Sequence, residues 1–253
     1  LVGCGRISAN HLDAFEAHAS ECEVVAVCDS EAAALATAVA RTGARGFTNL
    51  DALLAGSDAD VVVLATPSGL HAGQAIACAE AGRHVVTEKP MATRWQDGKA
   101  MVAACDRADV HLFVVKQNRR NATVQAVKRA VEAGRFGRIY MVSVNVFWQR
   151  PQAYYDSAAW RGTWEFDGGA FMNQASHYVD LLDWLIGPVE SVQAYTATLA
   201  RTIEVEDSGV LAIRWRNGAL GTMAVTMLTH PKNFEGSITI LGEKGSVRIG
   251  GVA

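Results

Sequence analysis

Two short stretches of this sequence offer acid–base chemistry. Glu88-Lys89-Pro90 follows the apolar run His84 to Thr87, so the Lys89 ammonium is expected at the carboxyl end of a strand, where open α/β sheets bind their ligands. Pro90 fixes the backbone after it. The second stretch carries Asn173, His177, Asp180 and Trp184 at steps of four, three and four, which puts them on one stripe of a helix expected over 169–186. That stripe is polar on an otherwise apolar helix and needs a partner. Two readings stand: a satisfied buried network in which Asp180 orients the His177 imidazole, or a histidine of near-neutral pKa serving as a general base. Metal binding through Asn173, His177 and Asp180 is weaker, because an amide oxygen is a poor ligand and no other His or Cys cluster lies nearby in sequence. No metal is expected.

A third stretch offers anion binding. Gly3-Cys4-Gly5-Arg6-Ile7-Ser8 lies between a strand stub and a helix, where a tight glycine turn lets backbone N–H groups approach a pyrophosphate at the helix N-terminus. Ser8 stands where the dinucleotide fingerprint has its third glycine, and it is small enough for close helix–strand packing. Asp29 ends the next strand, 24 residues past Gly5. A carboxylate there accepts hydrogen bonds from a ribose diol and repels a 2′-phosphate, which favours NAD over NADP; capping the following helix is the alternative. Thr66 and Pro67 end another strand and are expected to border the dinucleotide, while His71, in the next helix's first turn, reads equally as a contact or as a packing residue.

These residues need a scaffold, and the chain has the length and composition to build one. Its 253 residues are 50% apolar and 19% charged, and 23 cations against 26 acids give a net charge of −3, so a substantial core is expected and disorder is excluded. The absence of a basic run argues against nucleic acid as a partner, and no apolar stretch approaches the roughly 18 residues of a membrane span. Five cysteines without CxxC spacing, Cys4, Cys22, Cys28, Cys78 and Cys105, are read as reduced core thiols of a cytoplasmic protein.

From residue 1 to about 118 short β-branched runs alternate with Ala-rich helical stretches, the pattern of βα units on a parallel sheet with helices on both faces. Strands are expected at Leu1-Val2, 23–28, 60–65, 84–87 and 111–115; helices at 7–18, 30–41, 70–81 and 94–107, with Gly43 and Gly82 as stops. After Asn118 the pattern becomes antiparallel α+β: a helix at 123–133, a strand at 139–148, the helix at 169–186, then strands at 189–200, 208–216, 219–228, 236–241 and 246–249. Asn217-Gly218 signals a tight hairpin, and Glu243-Lys244-Gly245 another turn. The expected domains are therefore 1–118, α/β and dinucleotide-binding, and 119–253, with a ligand cleft where they meet.

With the glycine turn, Glu88-Lys89-Pro90 and the run from Gly168-Gly169 to His177-Tyr178-Val179-Asp180 in view, nearly the whole chain resembles the Gfo/Idh/MocA oxidoreductases. The resemblance implies an N-terminal Rossmann domain that binds NAD(P), an open-faced antiparallel sheet domain that contacts substrate, and a catalytic pair at Lys89 and His177, with Asn173 where many members have Asp. It implies cofactor contacts at Gly3, Gly5, Arg6, Ile7, Asp29, Thr66, Pro67, His71, Glu88, Lys89, Gln117, Trp160 and Arg161. Substrate contacts fall on Lys89, Lys116, Asn118, Arg119, Arg161, Asn173, Gln174 and His177. The stretches Lys116 to Arg119, Tyr154-Tyr155, Trp160 to Glu165 and Met172 to Gln174 look like one branch of the family, which oxidises the 3-hydroxyl of a UDP-linked N-acetyl-hexosaminuronate for bacterial lipopolysaccharide or O-antigen sugars. That branch implies a cytoplasmic homo-oligomer using NAD. Family members begin earlier and run beyond Ala253, so a longer protein is expected. Alternatives are a dehydrogenase of a free sugar or polyol, an NAD-dependent glycosidase of the same fold, and an NAD(H)-sensing module. Whether Lys89 or His177 is the base stays open at this point.

Overall fold

Continuous apolar runs such as Val61-Val62-Val63-Leu64 make stable strands only where both faces of the sheet are covered, and the first half of the chain meets that condition. In the computed structural model, which describes residues 1–251, the chain divides into two compact units at Val115/Lys116. The first unit runs through α1 (Ser8–Ala17), β1 (Ala26–Cys28), α2 (Ala32–Thr42), β2 (Arg45–Phe47), α3 (Leu50–Gly56), β3 (Val61–Leu64), α4 (His71–Glu80), β4 (His84–Thr87), α5 (Trp95–Arg107) and β5 (Leu112–Val114). All strand pairs in it are parallel. Val2 bridges Cys28 on one side and Leu64 on the other, giving the order β2, β1, Val2, β3, β4, β5. Alternate residues serve opposite layers: Val27 and Val63 pack with Leu12, Leu35 and Val39 of α1 and α2, while Ala26, Val62 and Leu64 pack with Leu53, Ala75, Met101 and Ala104 of α3, α4 and α5.

β2 and α3 were not expected from the sequence. Arg45-Gly46-Phe47 contains no apolar run, and α3 is too short to show a helical period. What fixes α3 is a cap, the Asn49 side chain accepting from the Ala52 N–H at 2.8 Å. β1 is also shorter than the expected 23–28, although the Val25 carbonyl still accepts from the Arg45 amide at 3.2 Å.

The second unit contains α6 (Ala122–Glu132), β6 (Ile139–Phe147), α7 (Gln152–Asp156), α8 (Ser176–Ile186), β7 (Val189–Ala197), β8 (Ser208–Trp215), β9 (Leu220–Thr226), β10 (Glu235–Gly242) and β11 (Ser246–Gly251). Its six strands lie in the order β11, β10, β6, β9, β8, β7. Every pair is antiparallel except β6 with β9, which is parallel. The Asn217-Gly218 hairpin joins β8 to β9, with Gly218 at φ +88° and the Asn217 side-chain oxygen accepting from the Ala219 N–H at 3.0 Å. One face of the sheet, with Val142, Val144, Ile213, Trp215, Met223 and Ile240, packs on Val124, Leu181, Leu182 and Leu185 of α6 and α8. On the other face Met141, Val210, Leu220, Tyr195 and Leu241 stay exposed.

The boundary falls three residues before the expected one, since the turn Gln117–Arg120 is tied to the second unit: Arg119 pairs with Asp180 and its carbonyl accepts from Gln125. The helix expected over 169–186 is interrupted. Ala170–Gln174 forms a π turn, with the Ala175 amide bonding the Ala170 carbonyl five residues back at 2.8 Å, and α8 begins only at Ser176. Glu206 satisfies the first amides of this turn: its carboxylate accepts from the Phe171 amide at 3.0 Å and its own carbonyl from the Ala170 amide at 3.2 Å.

Candidate functional site

In the first unit the glycine turn forms the expected cradle. Gly3 has φ +91°, and a Cβ there would lie 2.6 Å from the Ala65 carbonyl, so no other residue fits. Around Gly5 nothing lies within 4 Å of where a Cβ would stand, leaving the turn open to a ligand. Ser8 is buried and its hydroxyl donates to the Gly5 carbonyl at 2.6 Å, closing the turn onto α1. Asp29 accepts from the Cys4 amide at 2.6 Å and from the Glu31 amide at 2.8 Å, so it holds the glycine loop and the turn that leads into α2 together. Its oxygens have lone pairs beyond these two bonds with which to accept ribose hydroxyls. Arg6 and Ile7 are exposed beside the turn, and Thr66 and Pro67 are half-buried at the end of β3. A dinucleotide pyrophosphate fits these residues: the required glycine, the open cradle and the start of α1 all lie together.

His71 is buried at 1% exposure, with Nδ1 2.8 Å from the Pro90 carbonyl and Nε2 2.9 Å from the Thr66 carbonyl, so it bridges the turns that follow β3 and β4. Burial pushes its pKa below the usual histidine value, against the two carbonyls. Glu88 is likewise turned inward at 8% exposure. One oxygen accepts from His11 Nε2 at 3.0 Å and the other from the Lys89 amide at 3.1 Å. Burial alone raises the Glu88 pKa, but the His11 ring and the Lys89 amide more than reverse this and hold it below the usual glutamate value. Lys89 follows at the end of β4, on the same edge of the sheet as the glycine turn.

In the second unit Asn173 is buried and its amide donates to Asp167, whose other oxygen accepts from the Gly162 amide at 3.1 Å. His177 lines a cavity of about 430 Å³ with Asn118, Trp148, Tyr178 and Leu181 among its walls. Asp180, expected to orient His177, has its carboxylate engaged by cations from the turn before α6. It takes a two-pronged bond from Arg119 at 2.6 and 2.8 Å, with Lys116 3.6 Å away, and Arg119 also lies over the Trp184 ring at 5.5 Å. The C-terminal end of the expected stripe therefore ties the turn before α6 to α8 through the partly exposed Arg119. Gln117 is exposed on the turn beside it.

Gln174 accepts from Arg150 at 2.9 Å and donates to the Tyr154 hydroxyl at 3.0 Å. Arg161 lies 4.3 Å from the Tyr154 ring centre and 4.6 Å from that of Trp160, and its buried Nε has no hydrogen-bond partner among the described residues. Burial and the nearby Asp167 push the Tyr155 hydroxyl far above its usual pKa, which makes it a poor proton acceptor at neutral pH. Sequence reasoning missed His11, Arg150, Asp167 and Glu206. The last two flank the Gly168-Gly169 pair and its π turn, but only their separation in sequence is visible before folding. Among the cysteines Cys22 is exposed, and burial pushes Cys28 and Cys78 up to about 11 and about 12.

Comparison with known proteins agrees with these units. Residues 1–116 match the model of the oxidoreductase family with the NAD-binding Rossmann fold, and residues 124–248 match the GFO/IDH/MocA C-terminal domain. The WlbA dehydrogenase of Chromobacterium violaceum, solved in complex with NADH and UDP-GlcNAcA, is 73% identical with a TM-score of 0.99, covering 100% of this chain and 73% of that one. Its counterpart from Bordetella pertussis, solved with the same two ligands, is 71% identical with a TM-score of 0.98 and the same coverages. Levoglucosan dehydrogenase of Pseudarthrobacter phenanthrenivorans is 29% identical over 75% of this chain, which spans only 55% of that protein's length. On the matched domains and the residues that build them, the chain belongs to the Gfo/Idh/MocA oxidoreductase family.

Proposed function

We propose that this chain oxidises the 3-hydroxyl of a UDP-linked N-acetyl-hexosaminuronate to a ketone with NAD as acceptor. The observation that carries the reading is the 73% and 71% identity, over the whole chain, to dehydrogenases solved with NADH and UDP-GlcNAcA. Gly3, Gly5, Arg6, Ile7, Asp29, Thr66 and Pro67 hold the dinucleotide, which when bound supplies the hydride acceptor. His177 takes the hydroxyl proton as the C–H bond breaks, a task an imidazole can perform as general base. Lys89 donates a hydrogen bond to the oxygen as it becomes a carbonyl. The ionised Glu88 beside it favours the ammonium, which argues for this assignment over the reverse one. Asn173, fixed by Asp167, and Gln174 orient the sugar, while Lys116, Asn118 and Arg161 meet its anionic groups; stacking on two rings leaves the planar edge of the Arg161 guanidinium for a carboxylate or phosphate.

The protein is proposed to work in the cytoplasm as a homo-oligomer, in lipopolysaccharide or O-antigen sugar synthesis. Among the described residues no helix is long and apolar enough to cross a membrane. A second reading, oxidation of a free sugar, rests on the 29% and 30% identities to levoglucosan and D-apiose dehydrogenases, of which the chain spans 55% and 57%. Following NADH absorbance with UDP-N-acetylglucosaminuronate, UDP-N-acetylglucosamine and free sugars decides between them. NADH formed with the uronate alone supports the proposal; NADH formed only with free sugars overturns it, and free sugar released without net NADH identifies a glycosidase.

A further inference from the structure

His11 has no part in the reading above, yet it sits in contact with the residue before Lys89. It lies on α1, one turn into the helix whose start is the dinucleotide cradle, with its side chain only 14% exposed. Its Nε2 is 3.0 Å from Glu88 Oε1, and the other Glu88 oxygen accepts from the Lys89 amide at 3.1 Å. A carboxylate that is buried and ionised must be bonded at both oxygens to remain so, and here one bond comes from the cofactor helix and the other from the lysine's own backbone. Because the acceptor is a carboxylate, the ring nitrogen facing it carries the proton, and loss of that donor leaves a buried charge half-satisfied.

We propose that His11 is a positioning residue which, through Glu88, fixes Lys89 at the end of β4 and favours its ammonium form. The proposal rests on the assignment of Lys89 as the hydrogen-bond donor in the oxidation. It makes α1 serve two purposes, presenting backbone amides to the dinucleotide at its start and setting the charge beside Lys89 one turn later.

The test uses His11→Leu, which cannot donate, and His11→Gln, whose amide nitrogen can reach the place of Nε2. H11L is expected to lower kcat about tenfold and to leave NAD affinity within about twofold, with H11Q within about threefold of wild type on both. The pH at which Lys89 loses its proton, followed by NMR of lysine labelled at Cε, reads the same pair without any substrate, and is expected to fall in H11L and to hold in H11Q. Should H11L fail to fold by thermal denaturation, His11→Asn, polar but too short to reach Glu88, takes its place. Wild-type kcat together with an unmoved Lys89 titration in H11L overturns the proposal, as does an H11Q variant no better than H11L. Lys89→Met in the same assay separates the two questions: if it retains full turnover, the role given to Lys89 fails whatever His11 does.

Discussion

Asp29 carries two duties at once, and its replacement should show both. The carboxylate proposed to repel a 2′-phosphate also accepts from the Cys4 and Glu31 amides. Wild type is therefore expected to bind NAD at least about tenfold more tightly than NADP, and Asp29→Ala to narrow that ratio while weakening NAD itself through a looser glycine turn. Titration calorimetry with both dinucleotides measures this; equal affinities in the wild type contradict it. At this scale the sequence was legible where a residue's type dictates its place: Gly3 at positive φ, Asp29 at the loop it holds and Lys89 after β4 stand where motif and position put them. It could not show the protein partners of His71 and Arg119, because a histidine or arginine near a motif looks the same in sequence whatever it bonds, here two carbonyls and an aspartate. His11 was invisible, since its partner Glu88 lies 77 residues away.

At the scale of elements, most strands and helices followed from apolar periodicity, and the exceptions have physical reasons. The π turn at Ala170–Gln174, whose first amides bond Glu206 more than thirty residues downstream, breaks the helical pitch on which the spacing of Asn173 and His177 was read. The pairing of Arg119 with Asp180, 9% exposed at its side chain, anchors the turn before α6 to α8. Arg119→Gln is expected to lower stability by about 1–2 kcal/mol, discounted for the partly exposed arginine and for Lys116 nearby, and to leave the KM for the sugar nearly unchanged; thermal denaturation and steady-state kinetics report the two. Asp207 offers a pH prediction. Burial raises its pKa, but the Leu199, Ala200 and Arg201 amides more than offset this and hold it below the usual aspartate value. A carboxylate depressed on folding adds stability above its unfolded pKa of about 3.9 and loses it as pH falls through the folded value. Asp207→Asn should therefore be less stable than wild type at neutral pH, with the gap closing in acid. A gap that stays constant with pH refutes this.

At the scale of the molecule, each unit closes its own core, and the second leaves one sheet face uncovered, with Val210 at 53%, Leu220 at 48% and Tyr195 at 84% exposure. Apolar residues gathered on one face of a six-stranded sheet are the signature of an association surface. Light scattering at micromolar concentration is expected to give an oligomer, and Val210→Glu with Leu220→Arg to dissociate it; a monomeric wild type contradicts the expectation. The two-domain plan itself was legible because parallel and antiparallel sheets carry different hydrophobic patterns, whereas the parallel pairing of β6 with β9 was not, since it depends on strands far apart in the chain. The central claim is chemical, and turnover tests it most directly. With UDP-N-acetylglucosaminuronate and NAD the wild type should accumulate NADH, while Lys89→Met and His177→Asn should each lower kcat by about 10²-fold with NAD affinity nearly intact. No NADH from the wild type, or wild-type turnover in both variants, would contradict the account.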